Sequence, residues 1–358
     1  MRPALATGRA FLGLAVLSLL LLGAAPLPPP VDEARLLDPA PAPTLDAYHL
    51  FTDAGARQPN AGLTPYALNT PLFSDYAQKQ RYVFLPKGKR ATYTAEGVLE
   101  FPVGTALVKT FAYPADLRRP NDGLRLIETR LLIRKASGWV PNTYVWNEAQ
   151  TQAVLKRAGL RTEVAFTDAK GAGVRFSYPV PNVNQCKECH SLGDALVPIG
   201  PKARNLNGDY AYAAGAENQL AHWSRTGILA GAPAPAAAPV NPRWDDPSAP
   251  VRTRALAYLD ANCAHCHNPG GAASNSGLYL DYERASAVQR GIGKRPVAAG
   301  KASADLDFDI APGEPDRSIL LHRMQSREPG VMMPELGRAL PHEEGIALVR
   351  AYIAGLGR

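Results

Sequence analysis

Between residues 44 and 181 apolar and polar positions alternate at the period of half-buried strands. Residues 82–85 form one short strand by this reading. Residues 105–113, carrying Val108, Thr110, Phe111 and Tyr113, form another. Residues 124–135 predict a long two-faced strand. Leu124, Leu126, Glu128, Arg130, Leu132 and Arg134 fall on one face, and Arg125, Ile127, Thr129, Leu131 and Ile133 on the other. Gly138 turns the chain into a hairpin partner over 139–146, and 174–180 closes the region. Residues 148–157 read as the one helical interruption. The pattern predicts an all-β domain over 44–181, sandwich or barrel-like, with no Cys and one His, His49.

The pattern differs on either side of this region. Residues 11–22 are an uncharged apolar run behind Arg2 and Arg9, and Gly23-Ala24-Ala25 supplies small residues for cleavage. Residues 1–25 therefore read as a signal peptide. The run falls short of the ~20 residues that span a bilayer, so a membrane anchor arises only if the leader stays uncleaved. Residues 26–43, rich in Pro and Ala, read as an extended tether. After Pro181 comes a segment over 182–230 with a helical candidate at 217–225. A Pro/Ala-rich linker follows over 231–250. Residues 252–262 predict a helix with Leu256, Tyr258 and Leu259 on one side. Residues 342–356 predict a last helix with Ile346, Val349, Ala351 and Ile353 near one face. The 31 Gly and 33 Pro predict many turns and few long helices. Net charge is +7 with no basic run interleaved with aromatics, which argues against nucleic acid as a partner.

Four cysteines fall in two motifs, Cys186-Lys187-Glu188-Cys189-His190 and Cys263-Ala264-His265-Cys266-His267. Behind an export leader, four cysteines would ordinarily predict two disulfides. Here each pair is separated by two residues and followed at once by His, which is the c-type haem attachment pattern. The thiols add to the haem vinyl groups and the imidazole reaches the iron. Two Cys pairs could also hold zinc, but the leader and the repeated His favour haem. A redox dithiol calls for a βαβ setting, which the flanking sequence lacks. The cofactor-binding candidates are Cys186, Cys189, His190, Cys263, Cys266 and His267, with His190 and His267 as metal ligands. These motifs predict a multi-domain chain: the all-β domain first, then mainly α cytochrome c-like haem domains, the last over 251–358.

The second iron needs a sixth ligand. Met333, directly before Pro334 in a loop leading to the final helix, is favoured, with Met332 next; the bland alternative is core filling by both. No Met lies between His190 and Met324. For the first iron the candidates are His222, Met332, Met324 and His49, or an open position. His265 reads as pointing away from the iron, and His322 and His342 as surface helix residues. The Pro198 carbonyl is a candidate acceptor for the His190 Nδ1–H. Lys202 and Arg204 are candidate partners for haem propionates, or parts of an ordinary polar loop.

These residues resemble a bacterial family of exported dihaem c-type cytochrome-like proteins of poorly defined role. The resemblance is carried by Asn69-Thr70-Pro71-Leu72-Phe73-Ser74-Asp75-Tyr76, Phe101-Pro102-Val103-Gly104-Thr105, Glu128-Thr129-Arg130-Leu131-Leu132 and Tyr144-Val145-Trp146-Asn147. Both haem segments carry it too, with Gly200-Pro201-Lys202-Ala203-Arg204-Asn205-Leu206-Asn207, Pro312-Gly313-Glu314-Pro315 and Ser318-Ile319-Leu320. It covers nearly all of the chain after residue 60 and implies a β-rich amino-terminal domain followed by haem domains. Met332-Met333-Pro334-Glu335-Leu336-Gly337 also looks like the distal loop of cytochrome domains attached to quinoprotein dehydrogenases, which implies the distal role for Met333.

The expected function is that of a periplasmic electron carrier, or the electron-transfer subunit of a dehydrogenase or respiratory chain, with two covalent haems and a redox partner protein. The chain shows no nucleophile or acid–base constellation, so an enzyme is the less favoured reading. The enzymatic alternative is a dihaem peroxidase-like protein with an open first iron. A third reading gives the β domain a partner or carbohydrate-like ligand of its own.

Overall fold

The computed structural model describes residues 27–53, 55, 58–282, 285–298 and 300–357. The predicted leader lies outside these residues. Among them no helix is long and apolar enough to cross a membrane.

Nine strands organise the first half: β1 (Leu63–Pro65), β2 (Gln78–Phe84), β3 (Ala91–Thr92), β4 (Ala106–Tyr113), β5 (Arg125–Lys135), β6 (Gly138–Trp146), β7 (Ala153–Leu155), β8 (Leu160–Thr167) and β9 (Gly173–Val180). Six of them make one antiparallel sheet in the order β1-β2-β4-β5-β6-β7, with β1 and β7 at its edges. Strands β8 and β9 pair separately as a hairpin, and β3 pairs in parallel with Leu229–Ala230. The helical interruption expected over 148–157 is absent: a tight turn leads into β7, because Asn147 caps the turn through Thr151 N–H and Gln152 N–H.

The two faces of the sheet have different partners. On one face Tyr82, Val108, Leu131, Ile133 and Tyr144 pack against Val31, Leu36, Leu45 and Tyr48 of the preceding segment. That segment holds the short helix α1 (Glu33–Leu37), and the Tyr48 and Tyr144 hydroxyls meet at 2.9 Å. The predicted alternation of β5 breaks once. Phe111 faces Glu128 and Ala112 faces Leu126, so Ile127 is an extra, unpaired residue. The bulge sends Leu126 to the same core as Leu131 and Ile133, and Ile127 to the opposite side with Tyr113. The other face is apolar at both ends. Val83, Leu107, Leu132 and Trp139 pack on Leu206, Leu220 and Trp223, while Tyr113 and Ile127 lie under Phe166, Phe176 and Tyr178 of the β8–β9 hairpin. Between these ends its exposed-to-cavity positions are charged: Lys79, Arg81, Lys109 and Arg130.

The second half corrects the expected fold class. The chain is mostly β with small helices, and no cytochrome-like α domain is present among the described residues. Its helices are α2 (Val183–His190), α3 (Ala203–Leu206), α4 (Gln219–Arg225), α5 (Val251–Asn262), α6 (Ile319–Gln325) and α7 (Glu343–Ala354). None exceeds twelve residues, and the described residues of 263–318 carry no α-helix. Frequent Gly and Pro interrupt any longer helix. The β part is likewise neither a closed barrel nor a two-sheet sandwich, but an open sheet whose second face is covered by the later segments. Residues 231–250 are mostly exposed, with Ala238 and Asn241 as their buried positions. Helices α5, α6 and α7 share a core of Leu256, Leu259, Leu321, Ile346, Val349 and Ile353. Gly345 permits this approach, since a Cβ there would stand 2.4 Å from the Tyr258 ring.

Segment 69–76 stitches the parts together. Asn69 Nδ2 donates to the Asn207 and Asn241 carbonyls at 3.0 Å each. Thr70 exchanges bonds with the Asn205 side chain and donates through Oγ1 to Pro242 O at 2.9 Å. Phe73 N–H donates to Asn262 Oδ1 at 2.7 Å. Fully buried Asp75 accepts at Oδ1 from the Ala339 and Leu340 amides, both at 2.7 Å. Asp75 and Tyr76 have φ of 51° and 63°, a conformation that costs non-glycine residues and persists because these contacts impose it. Replacing Asp75 by Ala strands two buried amides. The expected loss is about 2–4 kcal/mol in urea unfolding; an unchanged midpoint would contradict the stitching role.

Candidate cofactor site

The first motif sits on a helix specified by its own sequence. Asn182 caps α2, accepting from Gln185 N–H while the Gln185 side chain accepts from Asn182 N–H. Cys186, Cys189 and His190 occupy its last turns at i, i+3 and i+4, one face of the helix. A two-strand turn, Ser191–Leu192 with Ala195–Leu196, folds back so that His190 Nδ1 meets Val197 O at 2.7 Å. The acceptor is thus Val197 rather than the expected Pro198. Nδ1 is committed, and Nε2 has no protein partner among the described residues. Burial pulls the His190 imidazole down to about 4.

The second motif begins where α5 ends. Cys263 caps that helix, and the Cys266 and His267 amides fold back onto Cys263 O at 3.1 and 2.9 Å. His267 Nδ1 meets Ser276 Oγ at 3.3 Å. The two motifs touch. The Cys189 and Cys266 thiols stand close enough to perturb one another, which lowers Cys189, helped by His265, and raises Cys266. Gly193 N–H donates to Gly270 O at 2.8 Å just beyond them. All four thiols are free of disulfides.

Both motifs border one cavity between the charged middle of the sheet and the α5–α7 core, with about 2050 Å³ of empty space including its open mouth. Cys186, Cys189, His190 and Cys263 line it together with Met324, Met332 and Met333. Cys266 adjoins it through Cys189, whereas His267 stands behind the wall. Buried Asn142 Nδ2 and His265 Nδ1 belong to residues of the same wall and have no hydrogen-bond partner among the described residues.

The methionine loop is held by a residue that sequence reasoning passed over. Met333 N–H donates to Arg323 O at 2.9 Å. The buried Arg338 guanidinium donates to Met333 O at 2.8 Å, Ser326 O at 3.0 Å and Leu340 O at 3.3 Å. With the Arg323 carbonyl at 3.3 Å, four carbonyls converge on one cation and fix the loop that presents Met333. The only sequence signal was the position of Arg338 beside that loop.

Several other candidates are engaged elsewhere. His49 bonds Pro30 O at 3.2 Å, and His222 bonds Glu217 at 2.8 Å while stacking on Tyr212; neither lines the cavity. Lys202 pairs with both oxygens of Asp260 at 3.1 Å. Arg204 donates to Asn241 Oδ1 at 3.0 Å and lies over the Tyr282 ring. His342, expected at the surface, caps α7 at the cavity edge with its side chain 10% exposed. It stacks on Phe73 at 4.2 Å and pairs through Nδ1 with the Tyr258 hydroxyl at 3.0 Å.

No family model matches the chain, and no curated protein or solved structure matches it either. The family likeness therefore rests on the motifs alone, and the site is judged on its chemistry. The donors fit c-type haem: paired thiols at the attachment spacing, each pair followed by an imidazole whose Nδ1 is engaged, with the first motif and Cys263 on a cavity that also holds thioethers. Among the described residues no group of three or more His, Cys, Asp and Glu is arranged to grip a bare metal ion.

Burial pulls His342 down to about 4. Between pH 6.5 and 4 the unfolded chain binds a proton there that the folded chain refuses, so stability falls as pH drops through that window. His342→Phe should remove about 3 kcal/mol of this pH dependence, measured as the difference in urea unfolding between pH 7 and 4. An unaltered difference would contradict the burial assignment.

Proposed function

We propose that the chain is an exported electron carrier with two covalently attached c-type haems, serving a redox partner protein. The observation that carries this reading is that residues of both Cys-x-x-Cys-His motifs line one cavity, with the segments just beyond them tied by the Gly193–Gly270 hydrogen bond. Attachment sites so close favour passage of electrons within the molecule over two independent roles. When bound, c-type haem supplies one-electron redox chemistry at its iron.

The chain's own residues have definite tasks in this reading. Cys186 with Cys189, and Cys263 with Cys266, anchor. His190 is oriented by Val197 O, which leaves its Nε2 free to ligate, and His267 is oriented by Ser276 Oγ. Arg338 holds the loop that offers Met333, a soft ligand that raises reduction potential. The apolar ends of the sheet, with Trp223 and Tyr113 buried, keep water from the flanks of the cavity. Export rests on the leader residues 1–25.

Alkaline pyridine haemochrome analysis of the purified chain should count two covalent haems, and one in Cys186→Ala/Cys189→Ala. A count of zero in the unmodified protein refutes the reading. Met333→Ala should abolish the long-wavelength sulfur-to-iron charge-transfer band of the oxidised protein. Survival of that band, with its loss in Met332→Ala, reassigns the ligand.

A further inference from the structure

The charged middle of the sheet is arranged as a row. Arg81, Lys109 and Arg130 are direct partners across β2, β4 and β5, and Thr143 on β6 continues the line. Neighbouring strands lie about 4.8 Å apart, which brackets the three cations within roughly 10 Å. All three line the cavity. Like charges directly opposed weaken a sheet, and withdrawing a cation from water without an anion costs more.

One carboxylate is set against the three cations. Glu128, fully buried, pairs with Arg130 through both Nε, at 2.9 Å, and Nη2, and accepts the Tyr178 hydroxyl at 2.6 Å, which leaves Arg81 and Lys109 without an acid partner among the described residues. Asp75 serves Ala339 and Leu340, and its charge acts on Lys79, whose ammonium donates to Leu72 O. Among the described residues Arg81 reaches a backbone oxygen, Lys79 O, at 3.4 Å. Among the described residues the Lys109 ammonium meets only the Phe111 ring, at 5.1 Å. Burial, assisted by Arg130 and Arg81, pulls Lys109 down to about 7. At the end of the row, Thr143 lines the cavity together with Cys186, which sets the first motif beside this wall.

We propose that Arg81, Lys109 and Arg130 form an anion-binding site for a carboxylate or an inorganic oxyanion, on the cavity wall facing the first Cys-x-x-Cys-His motif. Guanidinium groups flanking an ammonium suit planar or tetrahedral oxygen anions. Two sources share this chemistry: the propionates of a haem anchored at Cys186 and Cys189, and a free oxyanion entering through the mouth. The first source rests on the haem reading; the second does not.

The test uses full-length chain with its haem content counted, prepared with and without haem. Inorganic sulfate is titrated calorimetrically against chloride at equal ionic strength, which removes screening as a cause. In parallel, the propionate bending bands of the haem-loaded protein are recorded by resonance Raman spectroscopy. Lys109→Gln and Arg81→Gln are the variants. A free oxyanion gives sulfate binding to the haem-loaded chain, weakened about tenfold in either variant, the scale of one charge-assisted hydrogen bond. Propionate occupancy gives sulfate binding only to the haem-free chain, with propionate bands displaced in both variants. Sulfate that binds neither preparation, or binds the variants as tightly as the unmodified chain, overturns the site when the bands are also undisplaced. A chain that carries no haem refutes the haem reading but leaves the sulfate titration to decide the site.

Discussion

The structure depends on backbone groups of distant segments being satisfied by one short strap, residues 69–76. A buried amide or carbonyl without a partner costs about 1–3 kcal/mol, and a chain with short helices and long irregular stretches has many to satisfy. Asn69 serves the carbonyls of Asn207 and Asn241, Thr70 serves Pro242, Phe73 reaches the side chain of Asn262, and Asp75 takes the Ala339 and Leu340 amides. Asn262 directly precedes Cys263, and Ala339 directly follows Arg338. The strap therefore sets the position of the second motif and of the methionine loop relative to the sheet.

The sheet supplies the other half of the arrangement. Its first face is an ordinary apolar core closed by the 27–60 segment. Its second face is apolar only at its ends, where the 203–238 segment and the β8–β9 hairpin cover it. The uncovered middle, with four cations and one buried carboxylate, becomes the wall of the cavity. The bulge at Ile127 makes this possible: it places Ile127 in the apolar end beside Glu128, while Thr129 and Leu131 return to the first face. Electrostatics and packing thus divide a single sheet face between stability and a site.

The motifs themselves are short-range objects. Each thiol pair and its imidazole are brought to one side by a single helical turn or a tight fold-back. Their meeting is long-range: a thiol contact between Cys189 and Cys266 and one backbone bond between Gly193 and Gly270. Neither end of those contacts carries a local signal of the other.

Sequence alone was enough for features set by local chemistry. Period-two alternation marked β4, β5, β6 and β9 to within a residue or two, Pro and Gly marked the turns, and the two Cys-x-x-Cys-His motifs marked the candidate site. It misled where a local pattern admitted two outcomes. Residues 148–157 read as a helix because nothing local announces that Asn147 will cap a turn and that β7 will find a free edge on β6. The mainly α reading of 182–358 failed because apolar spacing near a motif resembles a helical domain, whereas 203–238 buries that surface against a sheet far away in sequence and 251–358 gathers short helices and long irregular stretches round a core of its own. Tertiary structure alone decided that both motifs share one cavity, that Arg338 and Asp75 are structural pins, that His342 is buried, and that Arg81, Lys109 and Arg130 face inward as a row. Each depends on strand register or on contacts between segments tens to hundreds of residues apart, and a linear pattern carries no record of which partner will satisfy a buried charge or amide.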